Sequence, residues 1–274
     1  MKPEYFRTPI PALSLPDELP GRLIVLEGTD SVGRSTQMQL LRSWLERLGL
    51  AVHDTGLTRG RLAGQHIQSA KQGHTMGPRT QCLFYATDFA DRLEAEIVPA
   101  LRAGYVVVTD RYIYSLMARS AVRGMERDWL RKLYGFALVP SLTIYLRITL
   151  NALLPRALAA GGFDYWESGM DYLAEETMYD AYVKHQTALL AEFDAMTEEY
   201  GFAVVDASGP IRRAFQEIQR HVWPTIDEIV PRGDVAGDLF AEPPLLPPEE
   251  RHEERQPLSE RVREVLTALL EESE

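Results

Sequence analysis

One stretch limits the folds open to this chain more than any other: Arg22 to Thr36, RLIVLEGTDSVGRST. Leu23 to Leu26 form an unbroken apolar run with branched side chains, the pattern of a strand buried on both faces of a parallel sheet. Gly28-Thr29-Asp30-Ser31-Val32-Gly33-Arg34-Ser35 then fits the phosphate-loop spacing G-x-x-x-x-G-K-[ST], with Arg34 in the lysine's place. The glycines let the backbone turn so that consecutive N–H groups face phosphate oxygens. A helix opening near Ser35 adds its positive end. On this reading Gly28, Ser31, Val32, Gly33, Arg34, Ser35 and Thr36 hold nucleotide phosphates, and the Ser35 hydroxyl reaches Mg²⁺. The alternative is an ordinary Gly-rich turn; a strand before the loop and an amphipathic helix after it favour the phosphate loop.

The rest of the chain alternates strand and helix. Met38, Leu41, Leu45 and Leu48 recur at helical spacing, and Gly49 is a stop. Further strands are expected at 51–55, 105–109, 142–147 and 202–206. Helices are expected at 78–103, with Pro99 kinking or ending the regular part, from 112 through about Val139, and at 150–160, 172–200 and 210–222. Gly161-Gly162 opens a short loop. This order predicts an α/β fold: a five-stranded parallel sheet with helices on both faces.

Four segments follow from composition. Residues 1–20 carry five prolines and no periodicity, which reads as a flexible leader. Residues 21–224 form the α/β domain. Residues 225–258 are a Pro-rich acidic linker, and 259–274 an amphipathic helix with Val262, Val265, Leu266, Leu269 and Leu270 on one face. The net charge of −11 is concentrated at the end, because fourteen acidic and five basic side chains fall in 225–274. The rest is nearly neutral, with no basic face for nucleic acid. The single cysteine, Cys82, excludes an intrachain disulfide or a cysteine metal cluster. No long apolar run or signal pattern is visible, so the expectation is a cytoplasmic protein without a membrane partner.

The chemistry lies at strand ends. Asp110 closes an apolar strand, where a carboxylate can face the loop and hold Mg²⁺ directly or through water; a strand-end acid capping the next helix is the alternative. Arg111 beside it has the planar fork that suits a phosphate. Asp30 sits inside the loop, where its charge opposes phosphate; it bonds a sugar hydroxyl, a metal-bound water or a cationic side chain, or simply forms the turn. No nucleophile elbow, Ser-His-Asp set or zinc spacing is present. Positioning and charge neutralisation are the expected chemistry, with Arg34, Asp110 and Arg111 as its catalytic residues.

These residues, taken in order, resemble the thymidylate kinase family over about residues 22–222. The resemblance is carried by LEGTDSVGRSTQ at 26–37, LFYATD at 83–88, IVPALRAGYVVVTDRY at 97–112, ALVPSLTIYLRI at 137–148 and FAVVDASGPI at 202–211. It implies a doubly wound α/β fold of the phosphate-loop nucleotide kinase type, and a homodimeric, Mg²⁺-dependent enzyme moving the γ-phosphoryl group of ATP to dTMP. It implies that Asp30 lies near the acceptor sugar and phosphate, that Tyr85 stacks on the base, that Arg111 binds the acceptor phosphate and that Arg156 lies beside the lid. Arg59, Phe89, Arg92, Ser115 and Arg119 join the substrate side. The chain departs from the family pattern at Arg34 for lysine and at Thr58-Arg59-Gly60 for Arg-Glu-Pro-Gly. It departs again at Asp88-Phe89 for Asp-Arg, Ala118-Arg119-Ser120 for Ala-Tyr-Gln, and Asp164-Tyr165-Trp166-Glu167 for Asp-Arg-Ile-Glu. Arg92 and Arg119 are the cations that could compensate.

The reading is therefore a Mg-ATP-dependent nucleoside monophosphate kinase acting on dTMP, with a small-molecule nucleotide as partner. Two rivals stand beside it. One is a kinase for another nucleoside or monophosphate. The other is a nucleotide-binding regulatory protein with little catalysis, whose tail binds a partner.

Overall fold

Apolar runs of four to six residues suit strands buried on both faces of a parallel sheet, and the computed structural model has that sheet. It describes residues 1–9, 18–58, 60, 62–64, 66, 67, 69 and 76–231. The expected terminal helix at 259–274, most of the expected linker and Arg59 lie outside the described residues.

The strands are β1 (Arg22–Glu27), β2 (Val52–Gly56), β3 (Val106–Asp110), β4 (Leu142–Arg147) and β5 (Ala203–Asp206). They pair in parallel in the order β2-β3-β1-β4-β5. The helices whose bounds fall among the described residues are α1 (Arg34–Arg47), α2 (Pro78–Arg92), α3 (Val98–Arg102), α4 (Ile113–Ala121), α5 (Arg127–Leu133), α6 (Leu150–Ala159), α7 (Met178–Tyr200) and α8 (Ile211–Ile226). Side chains alternate across β1: Leu23 and Val25 enter one core cluster with residues of α2, α4 and α7, while Ile24 and Leu26 enter another with α1 and α8. The sheet is thus covered on both faces, which is the doubly wound arrangement. β1 lies between β3 and β4, so chain connections leave it in both directions. The crevice at its C-terminal end is where such sheets bind ligands.

Three helices differ from the sequence expectation. The segment 78–103 is not one helix: α2 runs into a π-turn, Leu93–Ile97, before α3. Pro99 has no N–H to give the carbonyl four residues back, and its ring would strike that carbonyl; widening the turn relieves both. Helix ends at Leu133 rather than Val139, because Leu138 pairs with Tyr5. The long α7 starts at Met178, not 172, where the Thr177 hydroxyl caps the Asp180 N–H at 3.1 Å. Residues 163–176 are successive turns instead. At the other end α8 continues past Pro224 to Ile226, and Ile229 and Val230 still pack on the core, so the domain extends beyond residue 224.

The leader is docked over its described residues. Val139 N–H donates to Glu4 O at 2.8 Å and Phe6 N–H to Ala137 O at 3.1 Å. Phe6 packs edge-on against Tyr114 and Tyr200, with centroids 5.9 and 5.8 Å away, and Leu19 is fully buried. Single apolar anchors of this kind leave no periodic trace in a Pro-rich sequence.

Candidate active site

The loop leaves β1 with a backbone that its sequence anticipates. Gly28 has φ 148°, and a Cβ there would stand 3.0 Å from Leu146 O. Gly33, at φ 100°, caps α1. Val32 is buried and anchors the loop from below, and Ser31 adopts φ 61°. Ser35 and Thr36 follow in the first turn of α1, where backbone N–H groups have no intrahelical partner. Arg156, on α6, lies beside the loop: its guanidinium donates to Val32 O at 3.2 Å and to Ser208 O and Gly209 O at 3.2 and 3.3 Å. It ties the loop to the turn after β5.

Arg34 is 8% exposed and its guanidinium is committed to protein acceptors. Nε donates to Asp110 Oδ1 at 2.6 Å, and one terminal nitrogen to Gly28 O at 2.6 Å and to Thr29 O. The other terminal nitrogen is 3.8 Å from Asp30. The forked side chain therefore braces the loop from within and neutralises the strand-end carboxylate, which a lysine's single ammonium could not do at all these points.

Asp30 gathers the second set of cations. Arg111 and Arg119 both donate to its carboxylate. Burial alone would raise its pKa, but Arg111, Arg119 and Arg34 overcome that and hold the carboxyl far below the usual range. Of the roles open to Asp30 from sequence, it takes the one of partner to cationic side chains. Beyond these charges lies a cavity of about 260 Å³, lined by Tyr85 and Gln81 from α2, Arg119, Ser120 and Arg123 around the end of α4, and Asp164, Trp166 and Glu167 from the 163–176 turns. Burial, reinforced by Asp30 and Asp164, pushes the Glu167 carboxyl up to about 7. His185 also faces the cavity; burial, with Arg123 and Arg119, pulls it to about 3, so it is neutral near pH 7 and bonds the Tyr172 hydroxyl through Nδ1 at 2.9 Å.

Arg34, Asp110, Asp30, Arg111, Arg119 and Tyr85 thus meet around one crevice. Three expected substrate residues do not join them. Phe89 is fully buried in an aromatic cluster, 4.9 Å from the Tyr112 ring and 5.6 Å from Phe136. It shares a helix face with Tyr85 but lies one turn deeper, where the cavity has closed. Arg92 is also fully buried, ion-paired with Asp88 at 3.4 Å; burial lowers its pKa. Ser115 is fully buried and its hydroxyl donates to Glu27 at 2.5 Å.

Other site residues escaped the sequence reading. Arg123 grips Asp171 with two bonds of 2.7 and 3.0 Å and donates to Trp166 O at 3.0 Å, stapling the 163–176 turns to the end of α4. Its spacing of four from Arg119, and that of Gln81 from Tyr85, were available signals. The signal for Glu167 is the Asp164–Glu167 segment, which keeps the first and last residues of the Asp-Arg-Ile-Glu pattern; His185 has none, because its placement depends on how the turns fold over.

The donors near the loop suit Mg²⁺. Ser35 and Asp110 offer hard oxygens, and among the described residues no cluster of three metal-ligating side chains occurs. Hard oxygens of this kind suit an ion that keeps several waters and takes further ligands from nucleotide phosphates.

A sequence profile of the family described as thymidylate kinase matches residues 26–218. A probable thymidylate kinase 2 from Saccharolobus solfataricus is 34% identical over 209 residues, covering 76% of this chain and 98% of that protein. A thymidylate kinase from Leifsonia xyli subsp. xyli is 35% identical over 215 residues, covering 76% and 97%. One from Clavibacter sepedonicus is 37% identical over 197 residues, covering 69% and 89%.

Proposed function

The chain belongs to the thymidylate kinase family, and from that premise we propose that it transfers the γ-phosphoryl group of ATP to dTMP, giving ADP and dTDP, with Mg²⁺. The observation that carries the reading is the juxtaposition of a phosphate loop with a second cationic cluster, Arg111 and Arg119, at the mouth of a nucleotide-sized cavity.

The step joins an acceptor phosphate oxygen to the γ-phosphorus and breaks its bond to the β,γ-bridging oxygen, which leaves with ADP. A loose transition state asks for in-line placement and positive charge rather than a covalent enzyme intermediate. The loop N–H groups from Gly28 to Thr36 cradle the donor phosphates, and Arg156 steadies the loop. Arg34 supplies positive charge next to the transferred group. Ser35 and Asp110 would hold Mg²⁺, which would supply charge neutralisation for the donor phosphates. Arg111 and Arg119 orient the acceptor phosphate, Asp30 holds both in register, and Tyr85 offers a ring to the base.

The same reading carries a homodimer, for which Leu83 and Phe84, exposed side by side on α2, supply an apolar surface. It also carries a cytoplasmic location and a small-molecule substrate rather than nucleic acid. Among the described residues no helix is long and apolar enough to cross a membrane. The test is ADP release by the purified full chain with Mg-ATP and each of dTMP, dUMP, dCMP, dAMP and dGMP. The expected result is highest kcat/KM for dTMP. No turnover of any monophosphate, with ATP still bound, would overturn the reading in favour of a regulatory nucleotide-binding protein.

A further inference from the structure

Glu27 is the last residue of β1, immediately before the phosphate loop, and it is fully buried. One carboxylate oxygen accepts from Tyr112 N–H at 2.8 Å and from Ser115 N–H at 3.2 Å; the other accepts from the Ser115 hydroxyl at 2.5 Å. Tyr112 is the N-cap of α4 and its own side chain does not cap the helix. Glu27 therefore does from another strand what a capping residue does locally: it satisfies the N-cap and N3 donors.

Capping alone does not account for the choice of group. Burying a carboxylate is expensive, and here burial pushes Glu27 up to about 7 despite the bonds from Ser115 and Tyr112. What it secures is the residue before the cap. Arg111 has φ 69°, a left-handed conformation that a residue with a Cβ rarely adopts. Such a turn persists only where its surroundings over-determine it. Here Arg111 N–H donates to Leu26 O at 2.9 Å, its carbonyl accepts from the Thr109 hydroxyl at 2.8 Å, and the next N–H, that of Tyr112, is held by Glu27. Relaxing to the right-handed region would swing the Arg111 side chain off Asp30.

We propose that Glu27 is a positioning residue for the acceptor: its carboxylate locks the left-handed turn at Arg111 and thereby sets where that guanidinium meets the acceptor phosphate. This rests on Arg111 being an acceptor-phosphate cation, as read above. Because Glu27 adjoins Gly28, one side chain references the donor loop and the acceptor cation to each other.

The test is steady-state kinetics of the full chain with ATP and dTMP varied separately, with melting curves for each variant. Glu27→Met keeps the length and removes both acceptors; it should raise KM for dTMP by about tenfold or more while KM for ATP stays within about twofold. Ser115→Ala, a milder change that keeps the fold if Glu27→Met does not, should move the same constant by about threefold. Glu27→Gln should stay within about threefold of the parent, since its carbonyl can accept both N–H groups and its amide can donate to the Ser115 hydroxyl. Three outcomes overturn the proposal: an unchanged KM for dTMP in both Glu27→Met and Ser115→Ala, equal rises for ATP and dTMP, or a loss in Glu27→Gln as large as in Glu27→Met, which would make charge the cause. Arg111→Ala separates the layers. If it raises KM for dTMP and the Glu27 and Ser115 variants do not, positioning alone fails; if it leaves KM unmoved, the acceptor reading of Arg111 fails as well.

Discussion

Removing the Arg34 guanidinium tests whether an arginine can serve where a phosphate loop ordinarily carries lysine. Arg34→Ala deletes the partner of Gly28 O, Thr29 O and Asp110 Oδ1 together. Asp110 is only partly buried, at 21% exposure, so water can take over part of that bond and the fold should survive. The kinetic loss should be larger than the stability loss. Taking away one electrostatic donor from a developing charge costs about 2.7–4 kcal/mol, a fall in kcat of about 10²–10³. Arg34→Lys restores a cation that can reach the loop carbonyls or Asp110 but not all of them, so it should recover most of that loss. The assay is ADP release at saturating ATP and dTMP, with the melting temperature as a control for folding. Turnover by Arg34→Ala within about threefold of the parent, at unchanged stability, would refute a transition-state role and leave Arg34 as a brace for the loop.

Phe89→Arg should fail to restore base recognition and should destabilise the fold by about 3–5 kcal/mol, because it buries a charge in an aromatic cluster with the Arg92 guanidinium 5.7 Å from the ring it replaces; a native-like melting temperature would contradict the buried placement. Stability should depend on pH through Glu27, whose carboxyl is held near about 7 against an ordinary value of 4.5: the folded state keeps the proton longer, so stability falls as pH rises across that interval. Glu27→Gln should lose this share of the fall while Glu167, which titrates in the same direction, remains; melting curves between about pH 5 and about pH 8 with equal slopes for the two proteins would exclude it. Deleting residues 232–274 should leave cooperative unfolding and ATP binding intact, since all five strands, the phosphate loop and α1 precede residue 232; loss of either in calorimetry or nucleotide titration would show that the tail completes the domain.

The sheet and the donor side were legible because local rules act there. An apolar run, two glycines and a hydroxyl at fixed spacing dictate strand, loop and helix without help from distant residues, and β1, the loop and α1 follow that pattern. Asp110 and Arg111 were legible for a similar reason: a strand parallel to β1 and beside it ends at the same crevice as the loop. The acceptor side depends on packing between elements, and there the sequence was less informative. Nothing in residues 1–20 announced that Phe6 and Leu19 would be anchored. Nothing in 163–176 announces turns rather than an early start to α7, except Thr177 with Asp180 three residues on, the capping pair that marks where the helix begins.

The case of Tyr85 and Phe89 states the limit most sharply. Spacing of four places two side chains on one face of a helix, and Tyr85 and Phe89 share one face of α2. It does not say where along the face a cavity stops. α2 passes from the crevice into the core within a single turn, so Tyr85 lines the cavity while Phe89 is sealed among Tyr112, Tyr134 and Phe136. The arginine that the family pattern carries at this position has therefore not been exchanged for an apolar contact with the base; here that position has been withdrawn into the core. Under the proposed function, recognition of the base would fall to groups that still reach the cavity: the Tyr85 ring, the Gln81 amide and the Ser120 hydroxyl. An amide and a hydroxyl can each donate or accept, whereas a guanidinium only donates. A site so built distinguishes bases through the fit of its ring and walls more than through a fixed hydrogen-bond pattern. On that account discrimination between dTMP and dUMP, which differ by one methyl group, should be limited to about 10–200-fold.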